Sequence, residues 1–371
     1  MESMVNSLFN NIYKDKRVLI TGIFGFKGSW LAFWLAQMGA RVYGYSLRPD
    51  TELSHYPLLD LTAEVTEADI RDDQHLLQVF QNVQPEIVFH LAAQPLVRLS
   101  YKNPVETFDV NVMGTLKVFE ACRHTPSVRA IVNVTSDKCY QNREWYWGYR
   151  ETDAMGGHDP YSASKGCAEL LTASYRNSYF APGRFGTEHH TLLASVRAGN
   201  VIGGGDWALD RLIPDLVKAS MNRTAVSIRY PRSIRPWQHV LDPLSGYLCL
   251  GQRLLEGNPA FAEDFNFGPS ADTIVTVGEI AEYFKENFAG LQVSLPSPVD
   301  AANVHEAVNL RLDCSKAKYK LDWAPVWNVS KTLERTVKWY QLFIATGKAN
   351  TAEDLETYIN TAKQQGLPWT A

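Results

Sequence analysis

No run of about twenty apolar residues occurs in this 371-residue chain, so the sequence offers no segment long enough to span a bilayer as a helix. Residues 1–11 are polar and lack the apolar stretch of a secretory signal, which makes the cytoplasm the expected compartment. Cysteine is scarce. The five present, Cys122, Cys139, Cys167, Cys249 and Cys314, form no Cys-x-x-Cys pair and are odd in number, so reduced thiols are expected rather than a disulfide framework. An excess of one charge is missing too: the net charge of −4 gives no broad attraction to nucleic acid or to an anionic membrane, and any basic site must be local. There is no internal repeat and no low-complexity tract. His189-His190 does not read as a metal site, because adjacent strand residues point to opposite faces and no Cys or carboxylate cluster converges on them; no metal is expected.

What is present is an alternation of apolar runs and amphipathic stretches. Arg17 to Thr21 is a short apolar run that breaks into a glycine turn, followed by a helical stretch over 29–38, a stop at Gly39 and a second strand over 41–46. Further strands are expected at 86–91, 130–135 and 191–197, with helices over 73–83, 104–123 and 161–179. Repeated βα units predict an α/β fold of the Rossmann type, a doubly wound parallel sheet. From about Asn200 the texture changes, with Gly203-Gly204-Gly205 and a scatter of prolines punctuating shorter elements. The expected division is a dinucleotide-binding domain over 14–199 carrying the catalytic residues. A smaller mixed α/β lobe over 200–371 follows, some of whose segments return to the first domain. This lobe closes over the mouth of the sheet.

The turn Gly22-x-x-Gly25-x-x-Gly28 lets backbone approach a pyrophosphate without Cβ clashes and aims a helix N-terminus at its charge. Glycines alone are weak evidence; between a first strand and a first helix they predict cofactor binding. At the end of the second strand Ser46 and Arg48 stand where an acid would favour NAD and an Arg would favour NADP, and the local chemistry leaves that choice open. Asp69-Ile70, after the third strand, either holds an adenine edge or is surface.

Tyr161 and Lys165 are four apart and share a helix face. A phenol with an ordinary pKa near 10 is a poor base at neutral pH, and a nearby ammonium and a positive nicotinamide ring both favour the phenolate. Ser136 lies just past the apolar strand over 130–135, where its hydroxyl can bond a substrate oxygen as a carbonyl forms. Asp137 is an acid that a plain alcohol dehydrogenase does not need, which points to loss of water after oxidation.

These features resemble the extended short-chain dehydrogenase/reductase superfamily, as do Phe89-His90-Leu91-Ala92-Ala93-Gln94 and Asn111-Val112-Met113-Gly114-Thr115. Within it the chain is similar to the sugar-nucleotide 4,6-dehydratases, on Leu96-Val97-Arg98-x-Ser100-Tyr101, Ser136-Asp137-Lys138-Cys139-Tyr140, Trp147-Gly148-Tyr149-Arg150-Glu151, Gly157-His158-Asp159-Pro160-Tyr161, Arg235-Pro236-Trp237-Gln238-His239-Val240 and Leu312-Asp313-x-Ser315-Lys316. The match runs from the first strand to Trp323. Most of that family carries a Glu where this chain has Lys138; the CDP-glucose branch resembles it there. The resemblance implies CDP-glucose as substrate, retained NAD as cofactor, a homodimer or dimer of dimers, and a place in deoxysugar supply for surface polysaccharide.

It further implies that Gly22, Phe24, Gly25, Phe26, Lys27, Gly28, Ser46, Arg48, Asp69, Ile70, Leu91, Ala92, Ala93, Gln94, Asn111 and Val134 hold the cofactor together with Tyr161 and Lys165. Ser136, Asp137, Lys138, Tyr161 and Lys165 are the implied catalytic set, with Asp137 as acid, while the base at C5 stays open. Around the nucleotide sugar it implies Arg98, Ser136, Asn200, Arg211, Arg235, Trp237, Gln238, His239 and Asp242, since Arg suits a diphosphate. The aromatic cluster Trp145, Tyr146, Trp147, Tyr149 is either packing under a loop or a lid. The competing readings are a sugar-nucleotide 4-epimerase, which needs no acid at Asp137, a dehydratase of another nucleotide sugar, and a non-catalytic nucleotide sensor, which has no need of Ser136, Tyr161 and Lys165 together.

Overall fold

The computed structural model describes residues 7–228, 230–270, 275–294 and 310–371. Seven parallel strands form one sheet: β1 (Arg17–Thr21), β2 (Arg41–Tyr45), β3 (Glu64–Thr66), β4 (Ile87–His90), β5 (Ala130–Val134), β6 (Leu192–Ala198) and β7 (Asp264–Phe267). Their order is β7-β6-β5-β4-β1-β2-β3, so the chain starts in the middle and winds outward in both directions. The Rossmann-type doubly wound sheet expected from the βα alternation is the fold. β5 is buried at every residue, as a central strand covered on both faces must be.

Helix α1 (Phe26–Gln37) is apolar nearly all round, and Trp30 and Trp34 are fully buried in it. Such a helix needs cover on every side. The sheet supplies one wall and the segments after residue 200 supply the rest; Trp30 Nε1 donates to the Gly204 carbonyl at 2.9 Å. Helix α2 (Asp73–Val83) follows β3, and α3 (Val97–Lys102) follows β4. The long helix expected over 104–123 is three pieces: α4 (Pro104–Phe108), a π-helical stretch Asp109–Gly114, and α5 (Thr115–Arg123). Helix α6 (Pro160–Ser178) packs beside them and precedes β6.

β7 pairs with β6 from Asp264↔Ser195 to Phe267↔Ala198, so the chain does return to the sheet after leaving it. Between the two visits lie α7 (Leu212–Asn222), α8 (Leu241–Leu255) and a short ladder of Val201–Ile202 with Gln238–His239; Ala225–Ser227, also between them, pairs with Gln292–Ser294, which follows β7. Among the described residues no helix is long and apolar enough to cross a membrane.

Candidate active site

A cleft of about 390 Å³ opens beyond the C-terminal ends of the central strands, where ligands bind in open α/β sheets. Ser136, Asp137, Lys138 and Tyr161 line one side of it; Lys27, Arg98, Asn200, Arg211, Arg235 and Trp237 also reach it.

Local chemistry places these groups. β5 runs out at Val134, and Ser136 caps the short turn Asp137–Cys139: its Oγ accepts from the Lys138 N–H at 3.3 Å and donates to Asp137 Oδ1 at 3.0 Å. On the facing element, Asp159 caps α6 by accepting from Ser162 N–H at 2.9 Å and Ser162 Oγ at 2.6 Å, and Pro160 fills the first helical position, where its missing N–H costs nothing. Ser100 on α3 accepts from the Tyr161 N–H at 3.1 Å, which ties the first turn of α6 to the neighbouring helix. Ser100 and Asp159 are positioning residues absent from the expected set. The Asp-Pro pair before Tyr161 is a readable cap signal; nothing local marks Ser100.

The Ser136 hydroxyl is close enough to the Tyr161 phenol to favour its ionised form. Burial dominates that phenol, pushing it up to about 12, with Asp137 adding to the rise and Ser136 and Arg211 opposing it. Burial likewise pulls the Lys165 ammonium down to about 8, against Glu169 one turn further along α6. The expected lowering of the phenol by Lys165 is therefore not what governs the protein by itself. Asp137 is fully buried and held above the ordinary carboxylate range by desolvation, although Lys138 and Ser136 pull it back. Its Oδ2 has no hydrogen-bond partner among the described residues. That oxygen would lie 2.9 Å from a Cβ at Gly199, so the glycine leaves room for the carboxyl. Lys27, drawn down to about 8 by burial and by Arg211, faces the same group, since Asp137 acts to raise it.

The glycine turn has the form expected. Gly22 sits at φ +75°, a Cβ there would be 2.7 Å from the Ala92 nitrogen, and a Cβ at Gly28 would be 2.2 Å from the Gly22 carbonyl oxygen. Gly25 caps α1, so the free N–H groups of the helix follow it directly, with Phe26 and Lys27 in the first turn. Phe24 lies under the Arg48 guanidinium at 5.4 Å, and Arg48 also pairs with Glu67 at 2.7 Å on the surface. Asp69 is paired with Arg71, which lowers its carboxyl, and the Ser46 hydroxyl donates to the Leu47 carbonyl at 2.8 Å. Leu91, Ala92 and Ala93 run from the end of β4 past the turn, Val134 ends β5, and buried Ile70 packs toward Gly114.

Four expected contacts are engaged within the protein itself. Asn111 accepts from Gln94 N–H at 2.8 Å and donates to the Gln94 carbonyl at 3.1 Å and to Ser164 Oγ at 2.9 Å, so it braces the loop after β4 against α6. Gln238 donates to the Phe267 carbonyl at 3.1 Å and is buried. His239 is fully buried, edge-on to Trp327 at 4.7 Å, and burial pushes its imidazole down to about 3. Asp242 accepts from Val326 N–H at 2.7 Å and Tyr358 Oη at 2.8 Å, beneath the C-terminal helices. Gln238, His239 and Asp242 are absent from the cleft lining, and their side chains are buried in the interior. The aromatic cluster divides: Trp145 stacks on Tyr149 at 5.2 Å, whereas Tyr146 and Trp147 project into solvent.

Residues 19–336 match the family described as GDP-mannose 4,6 dehydratase. A curated relative, CDP-glucose 4,6-dehydratase of Salmonella typhimurium, is 51% identical over 338 residues, which cover 90% of this chain and 93% of that protein. CDP-paratose 2-epimerase of Salmonella typhi is 24% identical, over 87% of this chain and 98% of its own length. Among solved structures, epimerase Mth375 from Methanothermobacter thermautotrophicus superposes with a TM-score of 0.76 at 27% identity, covering 92% of this chain and 96% of that one. The dTDP-glucose 4,6-dehydratase DesIV from Streptomyces venezuelae, solved with NAD, superposes with a TM-score of 0.71 at 19% identity, over 87% and 96% of the two chains.

Proposed function

The chain belongs to the GDP-mannose 4,6-dehydratase family, and from that premise we infer that it converts CDP-D-glucose to CDP-4-dehydro-6-deoxy-D-glucose and water, with NAD as a retained cofactor. The observation that carries this reading is Asp137: a buried carboxyl held above its ordinary range, one oxygen bonded to Ser136 and the other unpartnered among the described residues, within reach of the Ser136–Tyr161 pair. A 4-epimerase acts without such an acid. The cofactor fits the turn, because side chains at positions 22 and 28 would fill the space in which backbone must approach a pyrophosphate.

The bound dinucleotide supplies an acceptor for the C4 hydrogen, a donor for C6 afterwards, and a positive ring charge near the phenol. Tyr161 takes the C4 hydroxyl proton, and Ser136 donates to the oxygen as it becomes a ketone. The ketone acidifies C5, since the electrons left by the departing proton delocalise into it. Asp137 then protonates the C6 hydroxyl, the C6–O bond breaks, and water leaves. The hydrogen removed from C4 returns to C6 and a proton adds at C5, so no outside oxidant is needed. Lys138, next to Asp137 on the cleft wall, stabilises the enolate formed at C5. Arg98, Arg211 and Arg235 line the cleft and offer the donors that a diphosphate needs, which supports their role in holding it.

The dinucleotide lobe is residues 14–199 joined by β7, with most of 200–371 serving the nucleotide sugar. Two copies associate through α4, α5 and α6, where Val105 is 82% and Leu170 62% exposed beside Tyr101, Met113 and Tyr179. The enzyme works in the cytoplasm, and fractionation with the soluble proteins tests that. The activity test is incubation with CDP-glucose, followed by the absorbance of a 4-keto sugar in base. A 6-hydroxylated C4 epimer as product would establish the epimerase instead.

A further inference from the structure

Five acids line the cleft, Asp137, Asp159, Asp206, Asp210 and Asp215, and the last has no part in the chemistry above. Asp215 lies in the first turn of α7, four residues after Arg211 and so on the same helix face, one pitch further from the reacting groups. Arg211 acts electrostatically on Tyr161 and Lys27, which puts it near the sugar end. The cleft lining is also partly apolar: Ile213 and Pro214, next to Asp215 in the chain, line it together with Val226, Ile228 and Tyr230, while Asp206, Asp210, Arg98 and Lys218 act on Asp215 electrostatically. Such apolar lining suits the two faces of a planar base and does not suit a diphosphate. A carboxylate here repels phosphate oxygens, and its charged neighbours have partners of their own. Asp206 bonds Arg211 at 2.9 Å, Asp210 pairs with Arg98 at 3.4 Å, and Lys218 donates to the Trp207 carbonyl at 2.7 Å.

We propose that Asp215 reads the base of the nucleotide sugar, its carboxylate accepting a hydrogen bond from the exocyclic amine of cytosine and so selecting cytidine over uridine nucleotides. This rests on the reading of the cleft as a CDP-sugar site. At position 4 of the pyrimidine, cytosine offers an N–H₂ donor and uracil a carbonyl acceptor; a carboxylate accepts from the first and is repelled by the second. Desolvation, which pushes Asp215 up to about 6, makes an unmatched acceptor in this position more costly still.

The test is the affinity of the full enzyme for CDP and for UDP by titration calorimetry near pH 7.5, in the wild type and in Asp215→Asn and Asp215→Leu. The wild type should favour CDP by at least about ten-fold, the worth of one well-placed base contact. In both variants the CDP:UDP ratio should collapse toward one, chiefly through weaker CDP binding. A wild type that binds the two alike would overturn the cytidine reading of the site, and this proposal with it. A wild type that prefers CDP while both variants keep its ratio overturns the role of Asp215 alone. Equal loss of CDP and UDP also overturns it, since that pattern belongs to a ribose or diphosphate contact.

Discussion

In the proposed mechanism Tyr161 starts from an unfavourable position, with burial pushing its phenol up to about 12 and lowering the Lys165 ammonium on the same helix. The cofactor's ring charge and the nearby Ser136 hydroxyl supply the compensation there, so the base matters only along the reaction path. Tyr161→Phe should lower kcat by roughly 10²–10⁴-fold and change CDP affinity by no more than a few-fold, as steady-state kinetics beside calorimetry will show. Lys138→Met should allow C4 oxidation and block elimination, so reduced nicotinamide builds up on the enzyme in a single turnover with CDP-glucose; normal turnover without that build-up denies Lys138 its role. That Ser136, Asp137 and Tyr161 come together at one cleft was readable in the chain, because they follow elements whose type is set locally. His239 and Asp242 were not placed correctly from the chain, because a polar side chain does not announce its partner. Trp327, Val326 and Tyr358 meet them from more than eighty residues away.

At the scale of elements, what holds the site is where helices begin. Asp159→Ala removes the cap of α6, costing about 1 kcal/mol of stability in thermal unfolding, and it loosens the turn that carries Tyr161, so activity should fall by more than that loss of stability accounts for. Gly28→Ala drives a Cβ to within 2.2 Å of the Gly22 carbonyl oxygen. The variant should purify with little or no bound dinucleotide, as extraction and chromatography can show. Helix 73–83 was legible to the residue because Asp72 caps it and its apolar face repeats at helical spacing. The three-residue strand β3 and the six-residue α3 were not, being too short for periodicity to show. The π-helical stretch was hidden for another reason: Asn111 fits an α-helical pattern equally well, and only its contacts with Gln94 and Ser164 favour the wider turn.

For the whole molecule, the proposed reading has two lobes and a second copy completing the enzyme. Val105→Asp combined with Leu170→Asp should shift the sedimenting species from dimer to monomer. Asp242 locks α8 to the C-terminal segment, and burial raises its carboxyl from 3.8 to about 7. A carboxyl raised on folding contributes stability that is full below its unfolded pKa and lost as pH rises through the folded one. Asp242→Asn should therefore gain on the wild type in chemical denaturation as pH climbs from about 4 to 7. The parallel sheet was legible from the βα alternation, whereas the return of β7 to the edge beside β6 depends on pairing across some seventy residues and carries no local mark. All of this serves one claim, that hydrogen moves within a single sugar. CDP-glucose deuterated at C4 and turned over in ordinary water should give product deuterated at C6, with the C5 position drawn from solvent when the run is repeated in heavy water. Product that keeps its original C5 hydrogen, or carries no label at C6, contradicts the account.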